Sequence, residues 1–209
     1  MRSGYFCGSP TTQLKDLSMP IPTFQTERLL LRGVTLADVP SYTDHFVDYD
    51  VIRHLSRTAP WPYPENGVQE YLSNVILPDQ GVGRWAWGIF LLTEPDILVG
   101  CIELMKEGKP ENRGFWLGKK YWNKGIMTEA VFPTIDYAFS DLGFGQLTFS
   151  NAAGNIASRK IKEKTGSELV DVRPAAFVDP TYTHQEIWTL SPKSWEKHKL
   201  SNRSKYTRL

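Results

Sequence analysis

Residues 114–130 contain the feature that most restricts the fold of this chain: an apolar, aromatic segment, a basic turn and an amphipathic helical segment follow one another directly. A strand–turn–helix of this kind forms an anion site, because the first turn of a helix has backbone N–H groups without intrahelical partners and a positive dipole end. Gly125 in the turn lets the backbone approach a bound phosphate closely. Three lysines add positive charge at the same place: Lys119, Lys120 and Lys124. The segment therefore predicts a site for a phosphate-bearing ligand.

A second signature lies in residues 154–166. Asn155 is a favourable N-cap, Ser158 stands at the third helical position, lysines occupy the last turn, and Gly166 is a favourable C-cap. The pattern predicts a short helix that begins after Asn155 and ends before Gly166.

Together, the two signatures resemble those of the GNAT acyltransferases, specifically the RimJ/RimL-like branch, which acetylates protein N-termini. The residues that carry the resemblance are Tyr-Trp-x-Lys-Gly-x-x-Thr-Glu-Ala at 121–130 and Asn-x-x-Ser at 155–158, and it extends over about residues 23–190. It implies acetyl-CoA as cosubstrate, no metal, and a central sheet in which two strands splay apart. One position departs from the family's usual phosphate loop, because Met127 stands where glycine or alanine is common. Its side chain either narrows the phosphate site or points into the core.

The resemblance also implies which residues bind acetyl-CoA. The pantetheine lies between the strands 112–117 and 146–150, with Asn155 facing it, and the diphosphate lies on the backbone amides after the first strand. Ser158 corresponds to the family's partner for the departing CoA thiolate. Asn155 and Ser158 also cap the helix, and both roles can coexist. The implied set is Phe115, Trp116, Leu117, Trp122, Asn123, Lys124, Gly125, Ile126, Met127, Thr128, Asn155 and Ser158.

The implied reaction is direct attack of an amine on the thioester, and the attacking amine must be neutral. An N-terminal α-amine has a pKa of about 7.7–8.0, whereas a lysine, near 10.4, costs about 4 kcal/mol to deprotonate at neutral pH. A protein or peptide N-terminus therefore needs only a weak base or an ordered water. Glu103, among apolar neighbours in a predicted strand, and His184, near the start of the last predicted strand, are the candidate bases. Each is also consistent with an exposed polar residue.

Length and composition favour one domain. A chain of 209 residues with 41% hydrophobic content can bury one substantial core, which we expect in residues 21–198. We expect residues 1–20 and the basic segment 199–209 to be flexible tails, with Met19 an alternative translation start to Met1.

A net charge of +1 argues against a nucleic-acid partner. No apolar run is long enough to span a membrane, and Cys7 and Cys101 match no metal or disulfide spacing, so we expect a cytoplasmic protein; an oligomer is possible.

The remaining pattern predicts an α/β (α+β) fold, a mixed and mostly antiparallel central sheet with helices on both faces. A strand at 28–32 precedes a helix capped by Thr35, residues 85–92 and 97–105 form a hairpin, and residues 167–177 and 182–190 form a closing antiparallel pair. The helix that starts near Met127 carries Pro133, where we expect a kink.

Two other functions remain open at this stage. The same fold could acetylate a small amine such as an antibiotic or polyamine, although the presumed acceptor region 59–82 contains only Glu65, Glu70 and Asp79 as acidic residues. The chain could also bind CoA without catalysis. Met127, Pro133 and the lack of an obvious base leave that alternative open.

Overall fold

The computed structural model describes residues 21–106 and 111–201, which form eight strands and six α-helices. The strands are β1 (Phe24–Gln25), β2 (Leu29–Gly33), β3 (Arg84–Leu91), β4 (Glu94–Met105), β5 (Arg113–Leu117), β6 (Leu147–Ala152), β7 (Glu168–Pro174) and β8 (His184–Leu190). The helices are α1 (Val39–Phe46), α2 (Tyr49–Ile52), α3 (Gly67–Tyr71), α4 (Ile126–Ser140), α5 (Ile156–Lys164) and α6 (Pro192–Ser201).

The strands form two antiparallel sheets. The first has the order β1-β2-β3-β4-β5, and the second has the order β6-β8-β7. The predicted hairpin is confirmed as β3–β4, with Trp87 opposite Ile102, and the predicted closing pair is confirmed as β7–β8. The expected α/β fold with mostly antiparallel strands is thus the one observed.

Helices cover both faces of the first sheet because its strands alternate apolar side chains to both sides. Trp87 and Ile102 belong to the core beneath α4, whereas their chain neighbours Ala86 and Cys101 belong to the core beneath α1 and α3. The sheet is therefore the middle layer of the domain.

The local signals at two helices are confirmed with small differences. Thr35 and Asp38 form a capping box over a single 3₁₀ turn, and α1 follows with Pro40 in its first turn, where proline is tolerated. Helix α4 continues through Pro133, and the kink expected at that residue stays a prediction.

The C-terminal boundary of the domain differs from the prediction. Helix α6 was not foreseen, and it includes Lys199, which was assigned to a basic tail. Trp195 of this helix is fully buried against Phe132 of α4, with ring centroids 4.8 Å apart. The predicted tail 1–20 and residues 202–209 lie outside the described residues.

Within residues 21–106 and 111–201, no helix is both long and apolar enough to cross a membrane.

Candidate active site

Strands β5 and β6 meet at one end and separate beyond it. Asn112, just before β5, donates its backbone N–H to Thr148 O at 2.8 Å and accepts the Thr148 N–H on its side-chain Oδ1 at 2.7 Å. Its side-chain Nδ2 also donates to Gln146 O at 3.2 Å. In the described chain, no ladder of hydrogen bonds joins β5 to β6 after this point, so the two sheets diverge from Asn112. The gap between β5 and β6 is called the wedge below, and Asn112 lies at its narrow end.

A cavity of about 950 Å³ occupies this wedge, a volume suited to a cofactor-sized ligand. It extends from the start of α4 to Val51 of α2, which belongs to the core on the opposite face of the first sheet. All of the predicted acetyl-CoA residues except Lys124 line it. They are Phe115, Trp116, Leu117, Trp122, Asn123, Gly125, Ile126, Met127, Thr128, Asn155 and Ser158.

The loop before α4 has the backbone geometry of an anion site. Asn123 and Gly125 have positive φ angles of 59° and 76°, and such alternation turns successive N–H groups towards one side. Arg28 of the β1–β2 turn supports the loop from behind: its Nη1 donates to Lys124 O at 2.9 Å, and its Nη2 lies 2.6 Å from Glu129 Oε2. Lys124 thus contributes its carbonyl to this support, and its side chain is not part of the cavity lining.

Met127 lines the cavity, but its side chain is buried in the core that α4 forms with the first sheet. Of the two alternatives left open by the sequence, the structure favours the one in which this residue packs inwards.

Helix α5 presents three polar side chains on one face. Asn155 caps the helix by accepting the Ser158 N–H on Oδ1 at 3.1 Å, which confirms the predicted N-cap. Lys162, one turn further along, donates from Nζ to Ser158 Oγ at 2.8 Å. The Ser158 hydroxyl is thereby held with its own hydrogen available to another acceptor.

Two buried cations line the cavity beside Ser158. Arg113 of β5 is 3% exposed and Lys162 is 1% exposed. Burial lowers the pKa of Arg113 to about 9, and burial together with the charge of Arg113 lowers the pKa of Lys162 well below its usual value. Sequence reasoning missed both residues.

Glu103 lies on the α1–α3 face of the sheet and not in the cavity lining. Its carboxylate accepts a short hydrogen bond from Arg84 Nη1 and lies 3.4 Å from the hydroxyl of Tyr71. It is opposite Gly114, however, and a β-carbon on Gly114 would meet no atom of the described residues within 4 Å. Glu103 therefore borders open space at the edge of the wedge, and its carboxylate is engaged by Arg84.

The structure does not bring His184 into the cavity: its side chain is exposed, and its Nδ1 lies 2.9 Å from Thr183 Oγ1. His54, which the sequence analysis did not select, does line the cavity. Its Nε2 lies 3.2 Å from the Tyr182 hydroxyl, and burial and the charge of Arg53 lower its pKa. A lowered pKa favours the neutral imidazole, the form that can accept a proton.

Among the residues that the structure describes, no cluster of histidine, cysteine, aspartate and glutamate side chains could hold a metal ion.

The sequence matches the model of a known protein family over most of its length. Residues 28–168 match the family model described as "Acetyltransferase (GNAT) domain". The chain belongs to the GNAT acetyltransferase family.

Individual relatives match over parts of the chain. YdaF of Bacillus subtilis (strain 168) is 31% identical over 87 residues, which are 41% of this chain and 48% of YdaF. The N-acetyltransferase p20 of Bacillus licheniformis, which is uncharacterised, is 25% identical over 142 residues, or 66% of this chain and 78% of p20. The match thus spans about half the length of YdaF and most of p20.

Solved structures show the same fold. The ribosomal-protein-S5-alanine acetyltransferase of Vibrio fischeri superimposes with a TM-score of 0.67 at 17% identity, over 83% of this chain and 98% of that one. RimJ of Mycobacterium smegmatis, in complex with CoA-disulfide, superimposes with a TM-score of 0.67 at 14% identity, over 83% and 88% of the two chains.

Proposed function

We propose that this chain transfers the acetyl group of acetyl-CoA to a primary amine, and that the acceptor is the N-terminal α-amine of a protein or peptide. The observation that carries the proposal is the continuous cavity between β5 and β6. One end has the anion-binding loop at Gly125 for the CoA diphosphate, and the other end reaches His54 on the opposite side of the first sheet. Donor and acceptor can therefore meet in the gap from opposite faces.

The charge of the cavity lining supports an acceptor with a single amine. Glu111 is the one acidic residue among the described residues that line it, whereas four lining residues are cations: Arg113, Lys160, Lys162 and Lys164. A polyamine or aminoglycoside would meet repulsion here, because a cationic substrate needs nearby carboxylates. A peptide N-terminus carries one amine that is partly neutral at pH 7. YdaF, whose provisional name is that of a ribosomal N-acetyltransferase, is consistent with a protein acceptor.

Two residues are placed to assist loss of the amine proton. His54 lines the cavity, and its lowered pKa favours the neutral imidazole, which can accept the proton directly or through water. Glu103, held by Arg84 at the edge of the wedge, can bind the incoming ammonium or accept its proton through water.

Release of free CoA thiol in the presence of acetyl-CoA tests the proposal. The acceptors are a panel of peptides with different N-terminal residues, the same peptides with blocked N-termini, and small amines including a polyamine. We expect turnover only with free peptide N-termini. Turnover with the polyamine alone would assign the small-amine function, and heat stabilisation by acetyl-CoA without any turnover would assign a binding module.

Variants in the same assay separate the two proton acceptors. Replacing the responsible base should lower kcat/KM by about 10²–10⁴ at neutral pH, with a smaller loss above the pKa of the acceptor amine. We compare His54→Gln with Glu103→Gln. If a variant raises KM by the same factor at every pH, the replaced residue binds substrate and does not transfer the proton.

A further inference from the structure

Arg113 is a buried cation that lacks the partners such a group requires. Its Nε, Nη1 and Nη2 atoms are all buried and have no hydrogen-bond partner among the described residues, and its guanidinium lies 3.8 Å from the centre of the Phe149 ring. The ring compensates part of the charge but accepts no conventional hydrogen bond. Buried polar groups of folded proteins are nearly always paired, so an entire unpaired guanidinium in a cavity wall points to a ligand acceptor.

Lys162 is a second basic group in the same wall and is positively charged when it is protonated. The nearby carboxylates do not neutralise it within ion-pair distance, because both are engaged elsewhere. Glu111 accepts from Ser150 Oγ at 2.6 Å, and Glu186 is 3.2 Å from Arg159 Nη1 and accepts from Asn151 Nδ2 at 3.0 Å. The one hydrogen bond of the Lys162 ammonium in the described structure is the one to Ser158 Oγ.

An unpaired guanidinium is costly to bury, and so is a protonated amine, and a negative charge that arrives in the cavity would offset that cost. The reaction under "Proposed function", on which this inference rests, generates an anion in this cavity: the CoA thiolate expelled from the thioester. We propose that Arg113 and Lys162 form a cationic pocket for that thiolate, and that Lys162 supplies its proton through the Ser158 hydroxyl.

The proton transfer can be written in full. The amine nitrogen bonds to the carbonyl carbon, the carbon–sulfur bond breaks, and its electron pair leaves on sulfur. Ser158 gives its hydroxyl proton to the sulfur and receives a proton from Lys162 Nζ. The amine releases its extra proton to the base or to water, and water reprotonates Lys162.

The electrostatics of the pocket suit this role. Burial and Arg113 on β5 lower the pKa of Lys162, while Glu111 before β5 and Glu186 on β8 act in the opposite direction. A lysine with a lowered pKa is a better proton donor than an exposed one. It also loses its proton at a lower pH, so the rate should fall on the alkaline side as Lys162 deprotonates.

The test is a pH titration of the CoA thiol bound to the protein, followed by the ultraviolet absorbance of the thiolate against the ligand-free protein. In the wild type we expect the bound thiol to titrate about 1–3 pH units below free CoA, the effect of an opposite charge within a few ångströms. In Lys162→Met it should move back towards free CoA, kcat should fall by about 10²-fold, and the alkaline decline in rate should disappear. Lys193→Met is the matched control, because Lys193 is exposed on α6 and does not line the cavity.

Ser158→Ala separates the charge from the relay. It should keep the low thiol pKa, because Lys162 remains, but lose turnover, because the proton path is cut. Equal thiol titration in wild type and Lys162→Met, or full turnover in Ser158→Ala, would overturn the proposal. A wild-type preference for succinyl-CoA over acetyl-CoA that is lost in Lys162→Met would also overturn the proposal. In that case the two cations would bind the carboxylate of the acyl group and not the thiolate. Failure of CoA to stabilise any of these proteins against heat would instead refute the proposed function itself.

Discussion

Gly125 shows at the scale of one residue why the loop before α4 needs glycine. Its φ of 76° lies in the left-handed region, where a β-carbon costs about 1–2 kcal/mol. Within the described structure, only Arg28 Nη2 would lie near that β-carbon, at 3.5 Å. A larger residue at position 125 would therefore strain the backbone and occupy the phosphate site, but it would not clash with the protein.

We therefore expect Gly125→Val to lose most of the heat stabilisation that acetyl-CoA gives the wild type. That stabilisation is about 2.7 kcal/mol at a hundredfold excess over Kd. Gly125→Asn is the control for strain, because asparagine tolerates positive φ better than valine. Differential scanning fluorimetry with and without acetyl-CoA measures both. An undiminished shift in Gly125→Val would mean that the diphosphate binds elsewhere.

Single residues also show what the sequence could and could not reveal about the site. The turn glycine and the N-cap Asn155 were predictable because their signals are local. Lys162 had a usable signal, since it stands four residues after Ser158 and therefore on the same face of α5. Arg113 and His54 had none, because their role depends on burial and on a cavity formed by distant segments. His184 was selected as a histidine near the start of the last predicted strand, but its side chain is exposed there and does not line the cavity.

Among the elements, helix α6 shows how tertiary packing can decide a structure that the sequence alone does not predict. Its lysines resemble a solvated tail, yet Ser191 accepts the Ser194 N–H at 3.1 Å and Pro192 occupies the first helical position, both of which are helix-start signals. What fixes the helix is tertiary: Trp195 is 1% exposed and donates from Nε1 to Asp136 Oδ1 at 2.8 Å. Packing of this kind cannot be read from a segment alone.

Trp195 should therefore be a strong contributor to stability. We expect Trp195→Ala to lower the free energy of unfolding by about 3–5 kcal/mol, the usual cost of removing a buried aromatic side chain. Urea denaturation measures the change, and Lys193→Ala on the exposed side of the same helix is the control. A loss below 1 kcal/mol would mean that α6 is not an integral part of the core.

In the domain as a whole, the function depends on two sheets that are not joined by a ladder of hydrogen bonds between β5 and β6. The antiparallel pairs within each sheet were predictable, because hairpins and alternation are properties of neighbouring segments. The gap between β5 and β6 was not, since it is defined by hydrogen bonds that the strands do not make. Only the resemblance to GNAT proteins implied it. In the structure the gap depends on Asn112, which fastens the two sheets at one end and leaves the other end open.

Asn112 should accordingly control both the strength of the junction and the shape of the cavity. Asn112→Ala removes the acceptor of the part-buried Thr148 N–H and the donor to the exposed Gln146 O, so we expect a cost below the about 1–3 kcal/mol of a fully buried unpaired amide. We expect faster hydrogen exchange at the Thr148 amide and a weaker affinity for acetyl-CoA, because the wedge is no longer fixed at its apex. Asn112→Asp keeps the acceptor and loses only the donor, so it should preserve most of the protection at Thr148. If Asn112→Ala retains both the protection and the affinity, the backbone bond from Asn112 N to Thr148 O is sufficient to hold the sheets together.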